Sequence, residues 1–286
     1  MPQMEPEKSR DLFGREIEFK VLRFAPDRDK RPYFQSYKLM LQRGMTVLDA
    51  LMHIKENQDP TLNYRKSCRM GICGSCAMYV NNKPVLACQT QAAELRSTLI
   101  EVRPLPNFPV IRDLVPDLTA FFSAHESAQP FLVRKNAEEI DSPVGEYIQS
   151  PEGMERYLQF AYCIKCACCV AACPTCATDS DFTGPQALAA AYRYTADSRD
   201  EGLTGRAGAL DHPHGLWRCH FAGACSEACP KGVDPALGIQ LLKREILKHK
   251  LNTKERLSAS LSPRNAGGAR REGIPDAPPR TAQDKP

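Results

Sequence analysis

Residues 163–174 read Cys-Ile-Lys-Cys-Ala-Cys-Cys-Val-Ala-Ala-Cys-Pro, and residues 219–230 read Cys-His-Phe-Ala-Gly-Ala-Cys-Ser-Glu-Ala-Cys-Pro. Both stretches space cysteines by two, two and three intervening residues, and both end in proline. The second stretch departs from the pattern once, since Ala222 stands where its second cysteine would be. A cysteine spacing that occurs twice predicts two metal-binding turns that fold as one unit.

This spacing is the one found in ferredoxins with two iron–sulfur clusters, where the fourth cysteine of each run binds the other cluster. The ligands can therefore be assigned by counting. One set has four thiolates and suits a [4Fe-4S] cluster: Cys163, Cys166, Cys169 and Cys229. The other set has three, namely Cys173, Cys219 and Cys225. Because Ala222 supplies no thiolate, we expect a [3Fe-4S] cluster in this second set.

A different cysteine pattern lies nearer the N-terminus, in the stretch Cys68-Arg69-Met70-Gly71-Ile72-Cys73-Gly74-Ser75-Cys76, followed by Cys88. The cysteines are separated by four intervening residues, then by two, then by a longer gap, which is the plant-type spacing of a [2Fe-2S] cluster. The glycines of the loop allow backbone N–H groups to approach the sulfur atoms. We therefore expect Cys68, Cys73, Cys76 and Cys88 to hold a [2Fe-2S] cluster.

The residues around this second pattern predict a small mixed sheet with one helix. Apolar residues alternate over 16–24 and over 37–41, which is typical of two half-buried strands. Thr46 is placed to cap a helix that follows it. Further strands are predicted at Ala77–Val80, Lys83–Ala87 and Leu99–Arg103, with an Asn81-Asn82 turn between the first two. This order is similar to that of the β-grasp ferredoxins.

The remaining chain predicts a helical second domain. Four prolines between residues 104 and 118 indicate a linker without regular structure. Helical patterns follow at Leu118–Phe122, Met154–Tyr162, Pro185–Tyr194 and Pro235–Leu251. The predicted fold class is α+β. It comprises an N-terminal extension at 1–14, a β-grasp [2Fe-2S] domain at 15–115, an all-α two-cluster domain at 116–255 and a disordered tail at 256–286.

Composition excludes several other classes of protein. The chain has 286 residues, thirteen cysteines and a net charge of +4. Its polar start lacks the apolar core of a secretory leader, so the cysteines favour metal binding over disulfides. No apolar run approaches the roughly 18 to 20 residues that span a bilayer. The small net charge does not indicate a nucleic-acid partner.

Two cysteines are left over once the three ligand sets are assigned. Cys168 lies inside the first run, and we expect it to be a small buried apolar residue. Cys176 follows Cys173 by three residues, so it is an alternative source of the missing fourth ligand. Pro174 makes that reach awkward, and we favour the [3Fe-4S] assignment.

Taken together, these motifs resemble the iron–sulfur subunit of respiratory complex II, the succinate dehydrogenase and fumarate reductase family. The resemblance covers about residues 15 to 250 and rests on three stretches: 67–76, then Gly184-Pro185 with Tyr194 and Asp197-Ser198-Arg199-Asp200, then Cys225-Ser226-Glu227-Ala228-Cys229-Pro230-Lys231. Members of that family also have a residue other than cysteine at the position of Ala222, where they hold a [3Fe-4S] cluster.

The resemblance implies an electron-transfer subunit. It passes electrons between the FAD of a separate flavoprotein subunit and a membrane quinone, through the [2Fe-2S], [4Fe-4S] and [3Fe-4S] clusters in that order. No G-x-G-x-x-G motif occurs in this chain, so we expect FAD only in the partner and no dicarboxylate catalytic site here. One or more transmembrane anchor subunits would hold the chain peripherally at the membrane, and we expect the cytoplasmic face.

Candidate quinone-binding residues are Lys243, Trp217 and His220. Lys243 falls where the family has a lysine near the quinone carbonyl, and an ammonium group there would stabilise developing negative charge. His220 would relay protons. The alternatives are that Trp217 belongs to the core, that Lys243 is one solvated charge of a basic helix, and that His220 only donates a hydrogen bond to the cluster.

Two surfaces are candidates for docking. Arg69, Met70 and Ile72 would meet the flavoprotein, unless Ile72 packs inward. The segment 243–256 carries six basic residues, which favours either contact with anionic lipid headgroups or an ordinary solvated helix face.

Two other functions compete with the complex II interpretation. An iron–sulfur subunit of another flavin-linked dehydrogenase or of a heterodisulfide-type reductase would share the two-cluster run. The fused [2Fe-2S] domain argues against most of these. A zinc-stabilised structural or DNA-binding protein would instead show paired C-x2-C sets, which these runs do not resemble.

Overall fold

A five-stranded mixed sheet forms the N-terminal part of the computed structural model, which describes residues 12–136, 138–142 and 147–251. The strands lie in the order β2-β1-β5-β3-β4, with β1 and β5 parallel and the other pairs antiparallel. Their bounds are β1 Glu16–Arg23, β2 Tyr33–Met40, β3 Ala77–Val80, β4 Lys83–Leu86 and β5 Leu99–Arg103. Each strand that the sequence predicts is therefore present, and β2 begins earlier than its apolar alternation suggests.

Helix α1, Val47–Asn57, packs on this sheet. Thr46 caps it through a capping box, because its side chain accepts from the Asp49 N–H at 3.1 Å while the Asp49 carboxylate accepts from the Thr46 N–H at 3.1 Å. The buried side of the helix meets the inward side chains of β1, which include Phe19 and Val21. Each such apolar side chain stabilises the fold by about 1.5–3 kcal/mol when fully buried.

The β3–β4 hairpin turns through Asn81 and Asn82, which have φ values of 44° and 62°. Asparagine tolerates this left-handed region, as the sequence predicted. The hairpin matters for the site because Cys76 directly precedes β3 and Cys88 follows β4. Pairing of the two strands therefore brings these two cysteines to the same end of the sheet.

The proline-rich segment contains regular structure, so the expectation of an irregular linker was wrong. Two short strands, β6 (Val110–Arg112) and β7 (Val115–Pro116), pair antiparallel around Asp113. Buried Arg23 holds this hairpin on the first domain by donating to the Asp113 carboxylate at 3.0 Å. Pro116 is compatible with its strand because the strand is a short edge.

Helices make up the rest of the described chain. Their bounds are α2 Thr119–Ser127, α3 Glu138–Asp141, α4 Pro151–Ala161, α5 Cys168–Ala171, α6 Pro174–Thr178, α7 Pro185–Thr195, α8 Leu203–Leu210, α9 Ala224–Glu227 and α10 Pro235–Lys250. Short 3-10 turns occur at Ala92–Leu95 and Leu216–Arg218. The four helices predicted for this part of the chain correspond to α2, α4, α7 and α10, with shifted ends. Helix α8 and the short helices α3, α5, α6 and α9 were not predicted.

Close packing of α4, α7 and α10 forms the core of the helical part. Phe160 on α4 meets Tyr192 on α7 edge to face, with ring centroids 4.9 Å apart. Gly238 on α10 leaves room for this pair, since a Cβ there would lie 2.9 Å from the Phe160 ring. The predicted tail at 256–286 and most of the predicted N-terminal extension lie outside the described residues.

Candidate metal centres

Backbone N–H groups of the 68–76 loop converge on cysteine sulfur atoms. The Cys68 Sγ accepts from the N–H groups of Ile72 and Cys73, both at 3.3 Å, and from that of Met70 at 3.5 Å. The Cys88 Sγ, from beyond the hairpin, accepts from the Gly71 N–H at 3.3 Å. Such donors stabilise thiolate charge and tune the potential of a bound cluster.

The loop achieves this geometry through left-handed backbone at Arg69, Gly71 and Gly74, with φ values of 60°, 71° and 72°. These conformations turn successive N–H groups toward the inside of the loop. The four cysteines expected to hold a [2Fe-2S] cluster are thus brought together by one loop and one hairpin. Their donor pattern fits a cluster with thiolate ligands.

In the helical part, a first pocket of about 390 Å³ is lined by cysteines from both runs. Three come from the first run and one from the end of the second, and they are Cys163, Cys166, Cys169 and Cys229. The turn that carries the first three has left-handed residues at Lys165 and Ala167, with φ values of 54° and 68°. The pocket contains the same cysteines that counting assigned to the [4Fe-4S] cluster.

A second pocket of about 320 Å³ is lined by Cys173, Cys219 and Cys225, together with Ala222. Cys176 is not among its lining residues. The Cys176 thiol nevertheless lies within hydrogen-bond reach of the Cys173 thiol, and its Sγ would be 3.9 Å from a Cβ at Gly184. The structure therefore lines this pocket with three thiols and an alanine, and places the thiol of Cys176 next to one of the three.

The chemistry of the cysteines fits metal binding. Burial raises the pKa of Cys225 to about 12 and that of Cys229 to about 11. Burial also raises the pKa of Cys169 well above its ordinary value. Such thiols keep their protons at neutral pH unless a cation stabilises the thiolate, which iron ions do. These three buried thiols thus suit a group that brings positive charge to sulfur, whereas a hydrogen bond from Cys176 lowers the pKa of Cys173 to about 6.

Cys168 lines neither pocket, although its thiol lies within hydrogen-bond reach of Cys166. It is fully buried and packs, with Ala167 and Ala171, into the apolar core of the sheet domain. These small side chains allow the cysteine-bearing turn to sit directly against that domain. The part that carries the first pocket is therefore joined to the sheet through apolar contacts.

The three candidate quinone-binding residues lie around the second pocket. Lys243 on α10 donates through Nζ to the Cys219 carbonyl at 3.0 Å and lies 5.8 Å from the centre of the Trp217 ring. The Trp217 Nε1 donates to Asp211 at 2.7 Å, and the ring is 40% exposed. His220 is exposed and lines the pocket. This arrangement leaves Trp217 outside the core.

Sequence reasoning missed two features next to this pocket. Phe221 lines the pocket, is exposed and has a φ of 59°, and its position between two candidate ligands was an available signal. Asp179 accepts from His214 at 2.9 Å and from Arg218 at 2.8 Å. Hydrogen bonds from His214 and then Arg218 hold the pKa of the Asp179 carboxyl below its ordinary value. No spacing rule joins these three residues.

The two candidate docking surfaces differ in character. Met70 and Ile72 are 66% and 57% exposed, so Ile72 does not pack inward. Arg69 lies 3.6 Å from Asp49. On α10, by contrast, basic residues already have carboxylate partners, since Lys248 pairs with Glu245 and Lys250 with Asp211. The rest of the predicted basic segment, from residue 252, is outside the described residues.

Comparison with known families defines the class of protein. The model of the 2Fe-2S iron-sulfur cluster binding domain matches residues 18–123, and that of the 4Fe-4S dicluster domain matches residues 159–233. The chain is therefore an iron–sulfur protein with a [2Fe-2S] domain followed by a dicluster domain. The predicted α+β fold class is confirmed.

Full-length relatives identify the family. The chain is 45% identical over 235 residues to the fumarate reductase iron-sulfur subunit of Mycobacterium tuberculosis (strain CDC 1551 / Oshkosh), covering 82% of this chain and 94% of the relative. It is 41% identical over 227 residues to the succinate dehydrogenase iron-sulfur subunit of Paracoccus denitrificans, covering 79% and 86%. This chain belongs to the family of fumarate reductase and succinate dehydrogenase iron–sulfur subunits, which serve electron transfer in an oxidoreductase complex.

A solved structure agrees with this assignment. One chain of the Mycobacterium smegmatis Sdh1 complex in the apo form superimposes with a TM-score of 0.71 at 25% identity, covering 84% of this chain and 98% of that chain. The alternative of an iron–sulfur subunit for another dehydrogenase is not favoured. Within the described ranges, none of the helices has the length and apolar character required to cross a membrane.

Proposed function

We propose that this chain passes electrons between the FAD of a flavoprotein subunit and a membrane quinone, in a succinate dehydrogenase or fumarate reductase complex. The observation that carries the proposal is the grouping of eleven cysteines at three separate places, one on the sheet domain and two in the helical part. Bound clusters supply one-electron redox centres, which connect a two-electron organic couple to a quinone.

The proposed ligands follow the three groups. Cys68, Cys73, Cys76 and Cys88 hold the [2Fe-2S] cluster, and Cys163, Cys166, Cys169 and Cys229 hold the [4Fe-4S] cluster. Cys173, Cys219 and Cys225 hold a [3Fe-4S] cluster. Ala222 on the lining of the second pocket supports three ligands from the two runs rather than four.

At the flavin end, the exposed apolar side chains of Met70 and Ile72 beside the first cluster loop support docking of a flavoprotein. Exposed apolar residues that flank a redox site are typical of an interface that brings two cofactors close together. Arg69 completes this surface with a charged group.

At the quinone end, His220 lines the second pocket, and Lys243 and Trp217 lie next to it, beside Cys219. The Lys243 ammonium is held near the pocket by the Cys219 carbonyl, where it would donate a hydrogen bond to a quinone oxygen. The Trp217 ring offers an exposed flat surface for the headgroup. His220 is exposed at the pocket and would deliver protons.

Transmembrane anchor subunits would cover this quinone end and hold the chain peripherally at the cytoplasmic face of the membrane. The exposed aromatic residues Trp217 and Phe221 support such a contact. The proposed domain limits are 15–115 for the β-grasp domain and 116–255 for the two-cluster domain.

Electron paramagnetic resonance of the anaerobically purified complex tests the proposal. We expect an oxidised-state [3Fe-4S] signal and, after stepwise reduction, separate [2Fe-2S] and [4Fe-4S] signals. Two reduced [4Fe-4S] centres without the oxidised signal would show that the second pocket has a fourth ligand. In a companion assay, the isolated chain should not oxidise succinate with an artificial dye, and turnover without a flavoprotein would contradict the proposal.

A further inference from the structure

Gly74, between Cys73 and Cys76 on the first cluster loop, lies against the turn that carries the first pocket. A Cβ built on Gly74 would be 2.9 Å from both the Cα and the Cβ of Cys166, and 3.1 Å from the Ile164 carbonyl oxygen. Backbone atoms cannot swing away as a flexible side chain can. The two cysteine-bearing loops therefore meet where a side chain would keep them apart.

Backbone conformation alone does not account for a glycine at this position. Gly74 has a φ of 72°, but Arg69 in the same loop adopts a φ of 60° with a full side chain. Gly71 has a φ of 71°, and the three atoms nearest to a Cβ there all belong to the side chain of Gln89, which can move. Gly74 thus differs from Gly71 because a Cβ at Gly74 would meet backbone atoms of Cys166 and Ile164 in another segment.

Asn107, from the segment after β5, holds the same two parts together. Its side-chain amide donates to the carbonyls of Val170 at 2.8 Å, and of Ala171 and Cys173 at 3.3 Å. The carbonyls of Val170 and Ala171 belong to the end of α5 and that of Cys173 follows it, so the amide satisfies acceptors that the short helix leaves open. Asn107 has a φ of 68°, which asparagine tolerates.

We propose that Gly74 is a positioning residue for electron transfer between the [2Fe-2S] and [4Fe-4S] clusters, and that Asn107 holds the contact. This inference rests on the proposed function. In that transfer one electron leaves the reduced [2Fe-2S] centre as the [4Fe-4S] centre gains it, with no bond or proton exchanged. The absent side chain at Gly74 sets how closely the Cys73 and Cys166 loops approach.

The test compares Gly74→Ala with Gly71→Ala in the purified complex. Both variants place a Cβ on a left-handed residue of the same loop, so they share backbone strain. In fully reduced samples, both clusters are paramagnetic, and spin–spin interaction broadens the [2Fe-2S] signal and speeds its relaxation. We expect Gly74→Ala to keep the [2Fe-2S] signal with a weaker interaction than in the wild type, and Gly71→Ala to retain the wild-type interaction.

Wild-type spin–spin interaction in a Gly74→Ala complex that contains both clusters would overturn the inference. If Gly74→Ala loses its [2Fe-2S] cluster, the same measurement on Asn107→Gly tests the inference. This substitution removes the side-chain amide, and glycine adopts the local φ without strain. Weakened interaction in Asn107→Gly supports the inference, and unchanged interaction overturns it. Absence of the two reduced signals from the wild-type complex would instead overturn the proposed function.

Discussion

The two pockets of the helical part are built from the same repeated cysteine spacing, yet they differ at one position of that spacing, which is called the variable corner below. Cys166 in the first run and Ala222 in the second occupy the same position of the pattern. Cys166 lies against Gly74 of the sheet domain, whereas Ala222 is exposed beside His220 and Phe221. At the variable corner, the thiol of the first pocket therefore faces the neighbouring domain, and the alanine of the second pocket faces the surface.

This difference relates ligand count to position in the molecule. The first pocket lies at the junction between the two domains. The second opens near Trp217 and Lys243, where a quinone and an anchor subunit are proposed to bind. The first pocket, with four thiols, thus lies in the interior, and the second pocket, with three, lies near the surface. This arrangement suits a series of redox centres whose last member is accessible to a partner.

The largest effect on cluster content is expected from removing Cys229, the cysteine of the second run that lines the first pocket. Cys229→Ser takes one of four thiols from the first pocket, so we expect loss of the reduced [4Fe-4S] signal and retention of the [2Fe-2S] signal. Cys176→Ser is the matched control, because the ligand count assigns its thiol to no cluster although it adjoins Cys173, and it should retain all three clusters. Loss of the oxidised [3Fe-4S] signal alone in Cys229→Ser would mean that the ligand sets are exchanged.

Damage to the scaffold should affect both pockets equally. Asp200 accepts from the buried Arg206 guanidinium at 2.8 Å, and this arginine also donates to the Phe131 carbonyl. Asp200→Asn leaves a buried cation without its counter-charge, which costs about 3–5 kcal/mol. We expect a lower thermal midpoint by circular dichroism and parallel loss of the [4Fe-4S] and [3Fe-4S] signals.

A control for Asp200→Asn is Glu16→Gln, which removes an exposed ion pair with Lys38. Such pairs contribute about 0–1 kcal/mol, so the midpoint should hardly change. If Asp200→Asn depletes only one of the two clusters, the pockets do not share the scaffold that their common helices suggest.

Adding a thiol at the variable corner of the second pocket should make the two pockets alike. Ala222→Cys offers the second pocket a fourth ligand, and we expect the oxidised [3Fe-4S] signal to be replaced by a second reduced [4Fe-4S] signal. Ala177→Cys, an exposed alanine outside the pocket lining, controls for the added cysteine. Persistence of the oxidised [3Fe-4S] signal in Ala222→Cys would show that the second pocket does not bind a fourth iron ion next to position 222.

The smallest effect is expected at the quinone end. Lys243→Met removes a charged donor worth about 1.5–3 kcal/mol, which corresponds to a rise of roughly 10- to 100-fold in the KM for quinone. Lys248→Met on the same helix removes a lysine that pairs with Glu245, and its KM should stay near the wild-type value. Equal KM values for both variants, with intact clusters, would exclude Lys243 from the quinone site.

The sheet domain was largely predictable because its signals are local. Thr46 starts α1 through contacts three residues away, and the Asn81-Asn82 turn suffices to pair β3 with β4. The β6–β7 hairpin was missed because it depends on Arg23, 90 residues before Asp113. Helix α8 was missed because Gly205 and Gly208 weaken its intrinsic helical preference, and burial of Arg206 supports it instead.

The candidate centres show the same division between local and distant information. The sequence by itself predicted how many cysteine sets exist and which ligand count each has, because the spacing within each run is a local property of the chain. Only the tertiary structure decided that Gly74 meets Cys166 and that Lys243 meets the Cys219 carbonyl. These contacts join segments far apart in the chain, and the packing of whole domains and helices sets their distances.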